Sequence, residues 1–239
     1  MKKFVITDNI FDIFPDVQIG VVVCTKINNR YNDGENSESN HEKRLRDSEK
    51  KAAIFLTEPE FSSNPVIKSW REAFQKFKTK KGARSSIEAL MKRIEKMNNV
   101  GTINPLVDIY NEVSLSYGMP CGGEDMDQIS GDIQLTMAKG DEPFIVLGSE
   151  ESSPPFAGEI IYKDNVGAVC RCWNWREGKR TMLTEYTKNA FMCIELVDIS
   201  RKAEFENGLK ELEQNIKNLL GAECRLEILN KYKKEIDLI

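Results

Sequence analysis

The sequence predicts an α+β fold, a single domain with a mixed, largely antiparallel β-sheet packed by helices. Three observations carry this. "QIGVVVC" (Gln18 to Cys24) is a continuous β-branched apolar run, as a strand buried on both faces requires. "SSIEALMKRIEKM" and "PLVDIYNEVSLSY" carry apolar residues at helical spacing behind clear start signals. After Gly131 the pattern changes to short apolar runs bounded by Gly, Pro or Asp, spaced for strand pairing. No repeat, low-complexity tract or long linker divides the 239 residues, so residues 1–239 are expected to form one domain.

Taken in order, the first segment holds two apolar runs separated by "FPD", the second of them the "QIGVVVC" strand. "NNRYNDGENSESN" reads as a loop, and the charged stretch after it as an exposed helix running on through "AAIFL". "NPVIKSWREAFQKF" puts Val66, Trp70, Phe74 and Phe77 on one helical face, with Pro65 in the first turn. A basic turn, "KTKKGARSS", follows. Ser85 and Glu88 then form a capping box for a helix whose core stripe is Ile87, Leu90, Met91, Ile94 and Met97. Asn104-Pro105 starts the next helix and Gly118 ends it. "GGEDMDQISG" reads as a turn. Strands are expected at "DIQLTMA", "PFIVLG", "GEIIYKD" and "GAVCRCWNW". "TEYTKNAFMCIELVD" suggests a turn and short helix passing into a strand. The acidic helix "AEFENGLKELEQNIKNLL" ends at Gly221, before a last strand, "CRLEIL".

With 40% hydrophobic residues the chain can bury a sizeable core. Its net charge of -4 argues against a protein that coats a nucleic-acid backbone non-specifically, DNA included, while leaving room for contact with one end of an RNA. The exception is "KSWREAFQKFKTKKGAR" (Lys68 to Arg84), a basic run that suits either a solvated face or a phosphate contact. No apolar run approaches the roughly 18 residues of a membrane span. The apolar start "MKKFVITDNIFDIF" is broken by Thr7, Asp8 and Asn9, which does not suit a secretory signal. A cytoplasmic setting is therefore expected, with the six cysteines as thiols. Cys170-x-Cys172 lacks a second pair and the single histidine, His41, is remote. Neither a metal site nor a histidine-based triad is expected.

Two stretches have the composition of a site. In the first, Gly122-Gly123 lets a ligand approach the backbone, with Glu124 and Asp125 alongside; the same residues equally suit a tight corner capped by Asp125. The second is "CRCWNWREGKRT" (Cys170 to Thr181). Strand alternation there puts Trp173 and Trp175 on one face, as core or as a stacking surface, and Asn174 and Arg176 on the other. Thr181, Thr184 and Thr187 offer hydroxyls or cap a short helix. Arg84, at a helix start, is placed to meet a phosphate. Cys121 has no neighbouring base to activate it as a nucleophile.

Several motifs occur in a telling order. They are "INPLVDIYNEVSLSYGMPCGGEDMD", "GDIQLTMAKGDEPFIVLG", "GEIIYKDNVGAVCRCWNW" and "TMLTEYTKNAFMCIELVD". Together they resemble the tRNA-editing B3/B4 domain of the bacterial phenylalanyl-tRNA synthetase β subunit, most strongly over residues 85–198. Ile103, Asn104, Val107, Asp108, Asn111, Gly118, Pro120 and Asp125 fill that family's positions. Where the family has a histidine after its Gly-x-Pro, this chain has Gly122.

The resemblance, with no class II synthetase motifs in the chain, implies a free-standing editing domain. Its expected activity is trans-editing: deacylation of mischarged aminoacyl-tRNA at the 3′ terminal ester, with no cofactor. The tRNA acceptor end is the expected partner and an aminoacyl-tRNA synthetase a further candidate. An activated ester needs a positioned water and oxyanion donors rather than a strong nucleophile. On this reading Gly122, Gly123, Glu124 and Asn174 are the catalytic candidates. Asp125, Arg84, Asn104, Asn111, Trp175, Arg176, Thr181 and Thr184 are the substrate-binding ones. The alternative is a non-catalytic module that holds a tRNA end, an amino acid or a nucleotide.

Overall fold

In the computed structural model, which describes residues 2–238, ten strands form two sheets rather than one. The first contains β1 (Lys3–Ile6), β4 (Ile133–Met137), β5 (Ile160–Lys163), β6 (Ala168–Arg171), β7 (Arg176–Glu177) and β10 (Glu235–Asp237). Its order is β10-β1-β4-β5-β6-β7, and its β1–β4 pair is parallel. The second, ordered β3-β8-β2-β9, contains β2 (Gln18–Thr25), β3 (Cys121–Asp125), β8 (Ala190–Leu196) and β9 (Glu223–Leu229), all antiparallel.

The central strands of the second sheet, β2 and β8, are buried on both faces, which explains their apolar runs. On one face lies α6 (Lys202–Leu220), whose buried Phe205, Leu209, Leu212, Ile216 and Leu220 recur every three or four residues. Each such side chain contributes about 1.5–3 kcal/mol of burial. The helix lies so close that a Cβ on Gly20 would sit 2.1 Å from Leu209 Cδ1, so β2 needs glycine there. With α6 packs α5 (Pro105–Tyr117), started by Asn104 and ended by left-handed Gly118. Against the other face of β8 lie residues of the first sheet: the Phe191 ring packs at a tilt against Phe4 and Tyr162, with centroids 4.8 Å and 6.3 Å away.

The remaining helices are α1 (Asp8–Ile13), α2 (Glu38–Ala52), α3 (Pro65–Phe74) and α4 (Ser86–Glu95). The α3 face Val66, Trp70 and Phe74, with Phe77 beyond it, is buried as the spacing predicts. Only half of the α4 capping box forms. Ser85 accepts from Glu88 N–H, but the Glu88 carboxylate binds Arg71 at 2.7 Å and 3.1 Å. A charged partner competes better than the backbone for that carboxylate.

Some local expectations fail. "PFIVLG" forms a single bridge, Val146 to Gly178, not a strand. "TEYTKN" forms turns rather than a helix. Met97 lies past the end of α4 with positive φ and is 91% exposed. "GGED" is no turn: Gly122 and Gly123 lie inside β3, with neither in the left-handed region.

Candidate functional site: an acidic cleft between the two sheets

The two sheets face one another across a small cleft. Alternation along β3 and β8 points Gly122, Glu124, Phe191, Cys193 and Glu195 into it. The opposite wall is a cross-strand row, Tyr162 on β5, Cys170 on β6 and Glu177 on β7, in register. Trp173, Asn174 and Ser86 close one end.

The segment 172–175 is a turn, not the alternating strand its sequence suggests. Cys172 and Trp173 have φ of 45° and 63°, a conformation that costs about 1–3 kcal/mol for such side chains. Packing holds it. Trp173 is fully buried, with ring centroids 4.9 Å from Phe14 and 5.2 Å from Trp70. The turn presents Asn174, whose Nδ2 donates to Glu195 Oε2 while its Oδ1 accepts from Ser86 N–H at 3.2 Å. Tyr162 Oη donates to Glu195 Oε1 at 2.6 Å.

Three carboxyl groups therefore line one small cleft. Burial pushes Glu177 and Glu195 up to about 7. Glu124 is raised well above the carboxylate range by burial first and by Glu177 second. Glu124 is also buried with Oε2 unpartnered. A cleft of this kind favours a ligand that brings positive charge. Donors are present as well. Asp125 N–H bonds Thr181 O at 2.8 Å, on the side of β3 away from β8, and alternation turns Gly123 N–H to that same outer side. Burial pushes the thiols of Cys121, Cys170 and Cys193 up, leaving them uncharged at neutral pH.

Of the candidates from the sequence, the structure brings Gly122, Gly123, Glu124 and Asn174 together in this cleft. The rest lie outside its lining. Asp125 is occupied by Asp127 N–H at 3.0 Å and the Thr187 hydroxyl at 2.7 Å. Asn104 caps α5 through Val107 N–H and is further bound to Asn29 and Leu183, and Asn111 is buried on the same helix. Trp175 packs against the core, with the Arg176 guanidinium over its ring. Thr181 is buried and gives its carbonyl to Asp125; the Thr184 hydroxyl accepts from Tyr186 N–H. Arg84 is on the surface beside Arg71 and Glu88. His41 is buried against Asn36, and burial lowers its pKa to about 4.

Sequence reading missed Glu177, Glu195 and Tyr162. Glu195 had left a signal, a single acid inside the apolar run "FMCIEL". Asn174→Ala should remove a partner of buried Glu195 and the Ser86 contact together. It is expected to lower stability by about 1–3 kcal/mol, read from urea unfolding at pH 8.

Fold and cleft define an α+β domain with an acid-walled pocket between two sheets. The B3/4 domain model matches residues 69–211, and the chain belongs to this family. It is 33% identical over 72 residues to the phenylalanine--tRNA ligase β subunit of Shewanella oneidensis, covering 29% of this chain and 9% of that protein. To the same subunit of Photorhabdus laumondii it is 32% identical over 100 residues, covering 41% of this chain and 12% of that protein. The matches thus span about a tenth of these relatives. An N-terminal fragment of the phenylalanyl-tRNA synthetase β subunit from Pyrococcus horikoshii aligns with 93% of this chain and 50% of its own, at a TM-score of 0.47 and 12% identity.

No helix among the described residues is long and apolar enough to cross a membrane.

Proposed function

We propose that this chain hydrolyses the 3′ terminal ester of mischarged aminoacyl-tRNA, acting on molecules already released by a synthetase. The carrying observation is the glycine edge strand, which with its own Glu124 and with Glu195 of neighbouring β8 faces Glu177 across a small cleft. An aminoacyl ester carries an α-ammonium group, which offsets the repulsion between Glu124 and Glu177. Glu177, with its pKa near 7, takes a proton from the attacking water. Gly123 N–H on the open side of β3 donates to the oxyanion. The proton then passes to the ribose oxygen as the ester bond breaks. Asn174 acts through Glu195, holding the wall of the cleft.

The basic run supports the acceptor end as the partner. Among the described residues Lys68 and Arg71 pair with Glu72 and Glu88, whereas Lys76, Lys78, Lys80, Lys81 and Arg84 have no ion-pair partner. The run leads into Ser86 on the cleft wall. If it alone meets the phosphates, the salt slope of tRNA binding should not exceed a magnitude of about 3–4, at roughly 0.7 per phosphate. Filter binding between low and moderate salt measures it; a slope near that of a groove-tracking protein would contradict the assignment.

A second reading, a module that binds without hydrolysis, is favoured by one feature: both Glu195 oxygens are occupied by Tyr162 and Asn174. The lifetime of the ester on a panel of mischarged tRNAs separates the two. Turnover supports hydrolysis; binding with an unchanged lifetime supports the module.

A further inference from the structure

At the far side of the second sheet, Cys24 on β2 and Cys224 on β9 are register partners, with Sγ atoms 3.3 Å apart. They are 200 residues apart in sequence. We propose that these two cysteines form a reversible redox site that peroxides oxidise to an intramolecular disulfide.

Geometry and access favour this pair over the other cysteines. β9 is the edge strand of its sheet and Cys224 is half-buried, so small oxidants reach its sulfur, while Cys24 lies fully buried beneath it as the resolving thiol. The Cys24 hydrogen bond and then Lys217 draw the Cys224 thiol below its ordinary range. Lys217 comes from α6 and is itself paired with Glu213 at 2.8 Å; Lys26 and Glu223 form a second ion pair at the neighbouring strand ends. By contrast, burial raises the cleft thiols, and Cys172 is pushed up to about 12.

The chemistry balances. The Cys224 thiolate attacks one oxygen of hydrogen peroxide, forming an S–O bond, breaking the O–O bond and releasing hydroxide. That hydroxide takes up the proton Cys224 had lost, giving water. Cys24 sulfur then attacks the sulfenic sulfur; the S–S bond forms and the S–O bond breaks. The departing oxygen takes the Cys24 proton and leaves as a second water. Two electrons pass from the thiols to the peroxide.

The test is hydrogen peroxide titration of the folded chain, followed by alkylation and peptide mass mapping. Two of the six thiols should be lost first and together, joined as Cys24–Cys224, and a thiol reductant should restore both. In Cys24→Ser the Cys224 sulfenic acid should persist and be trapped by dimedone. In Cys224→Ser, Cys24 should stay reduced. Parallel loss of all thiols, or over-oxidation of Cys224 with Cys24 still free in the wild type, would overturn the proposal.

Discussion

Gly122→Ile is expected to lower the deacylation rate by at least about 10²-fold while leaving the melting temperature close to wild type, the cost of losing a preorganised reaction geometry. Gly122 lies outside the left-handed region, and a Cβ there would meet only Glu177 Oε1, at 3.5 Å. An isoleucine suits an edge strand and would project into the cleft where the substrate must sit. The neighbouring glycine behaves differently. A Cβ on Gly123 would lie 2.4 Å from Met192 Sδ and 2.7 Å from the Phe191 carbonyl oxygen. The backbone oxygen cannot give way cheaply, so Gly123→Ala should destabilise the fold by about 1–3 kcal/mol. Measuring melting and rate for both variants separates a blocked cleft from a damaged sheet.

Glu177→Gln is expected to move activity and stability in opposite directions. As the proton acceptor, Glu177 should make the rate above the spontaneous background rise with pH through about 7 and then level off. The variant should lose that inflection and fall by about 10²-fold or more. The stability effect has the other sign. Burial raises the folded-state pKa from 4.5 to about 7, so between those values the native state binds more protons than the unfolded one. Glu177 therefore costs no stability below its unfolded pKa. The cost grows as pH rises toward 7 and is complete above it. At pH 8 the glutamine variant should melt higher than wild type, and near pH 4 the two should converge. A variant that melts lower at pH 8 would show that the Glu177 charge is compensated by a partner.

The parts of the fold legible in the sequence are those set by neighbours in the chain. Ser85, Asn104 and Gly118 mark helix ends through backbone hydrogen bonds a few residues away, and the stripes of α3, α5 and α6 follow from one helical period. What depends on distant partners was not legible. The division into two sheets rests on pairings such as β1 with β4, from mid-chain, and with β10, from the other end of the chain. β7 is two residues long and leaves no period to read. Gly122-Gly123 looked like a corner, and only its pairing with Cys193 and Met192 shows a strand.

The site divides along the same line. Gly122, Gly123, Glu124 and Asn174 stand out by residue type, and the fold collects them. Asp125, Asn104 and Thr184 stand out equally, yet their polar atoms are consumed by local caps and turns. Nothing in the sequence distinguishes a free carboxyl such as Glu124 from an occupied one such as Asp125. Glu177 sits in a polar stretch, "WREGKRT", and acquires its role only when β7 pairs with β6 and sets it opposite Gly122.

The most direct measurement is the single-turnover release of labelled amino acid from a panel of mischarged tRNAs, with wild type and Gly122→Ile at equal folded concentration. Release from at least one member well above the buffer rate by wild type, reduced to near that rate by Gly122→Ile, is the result predicted here. Buffer-level release from every member, or equal release by the two proteins, would contradict hydrolysis in the cleft between the sheets.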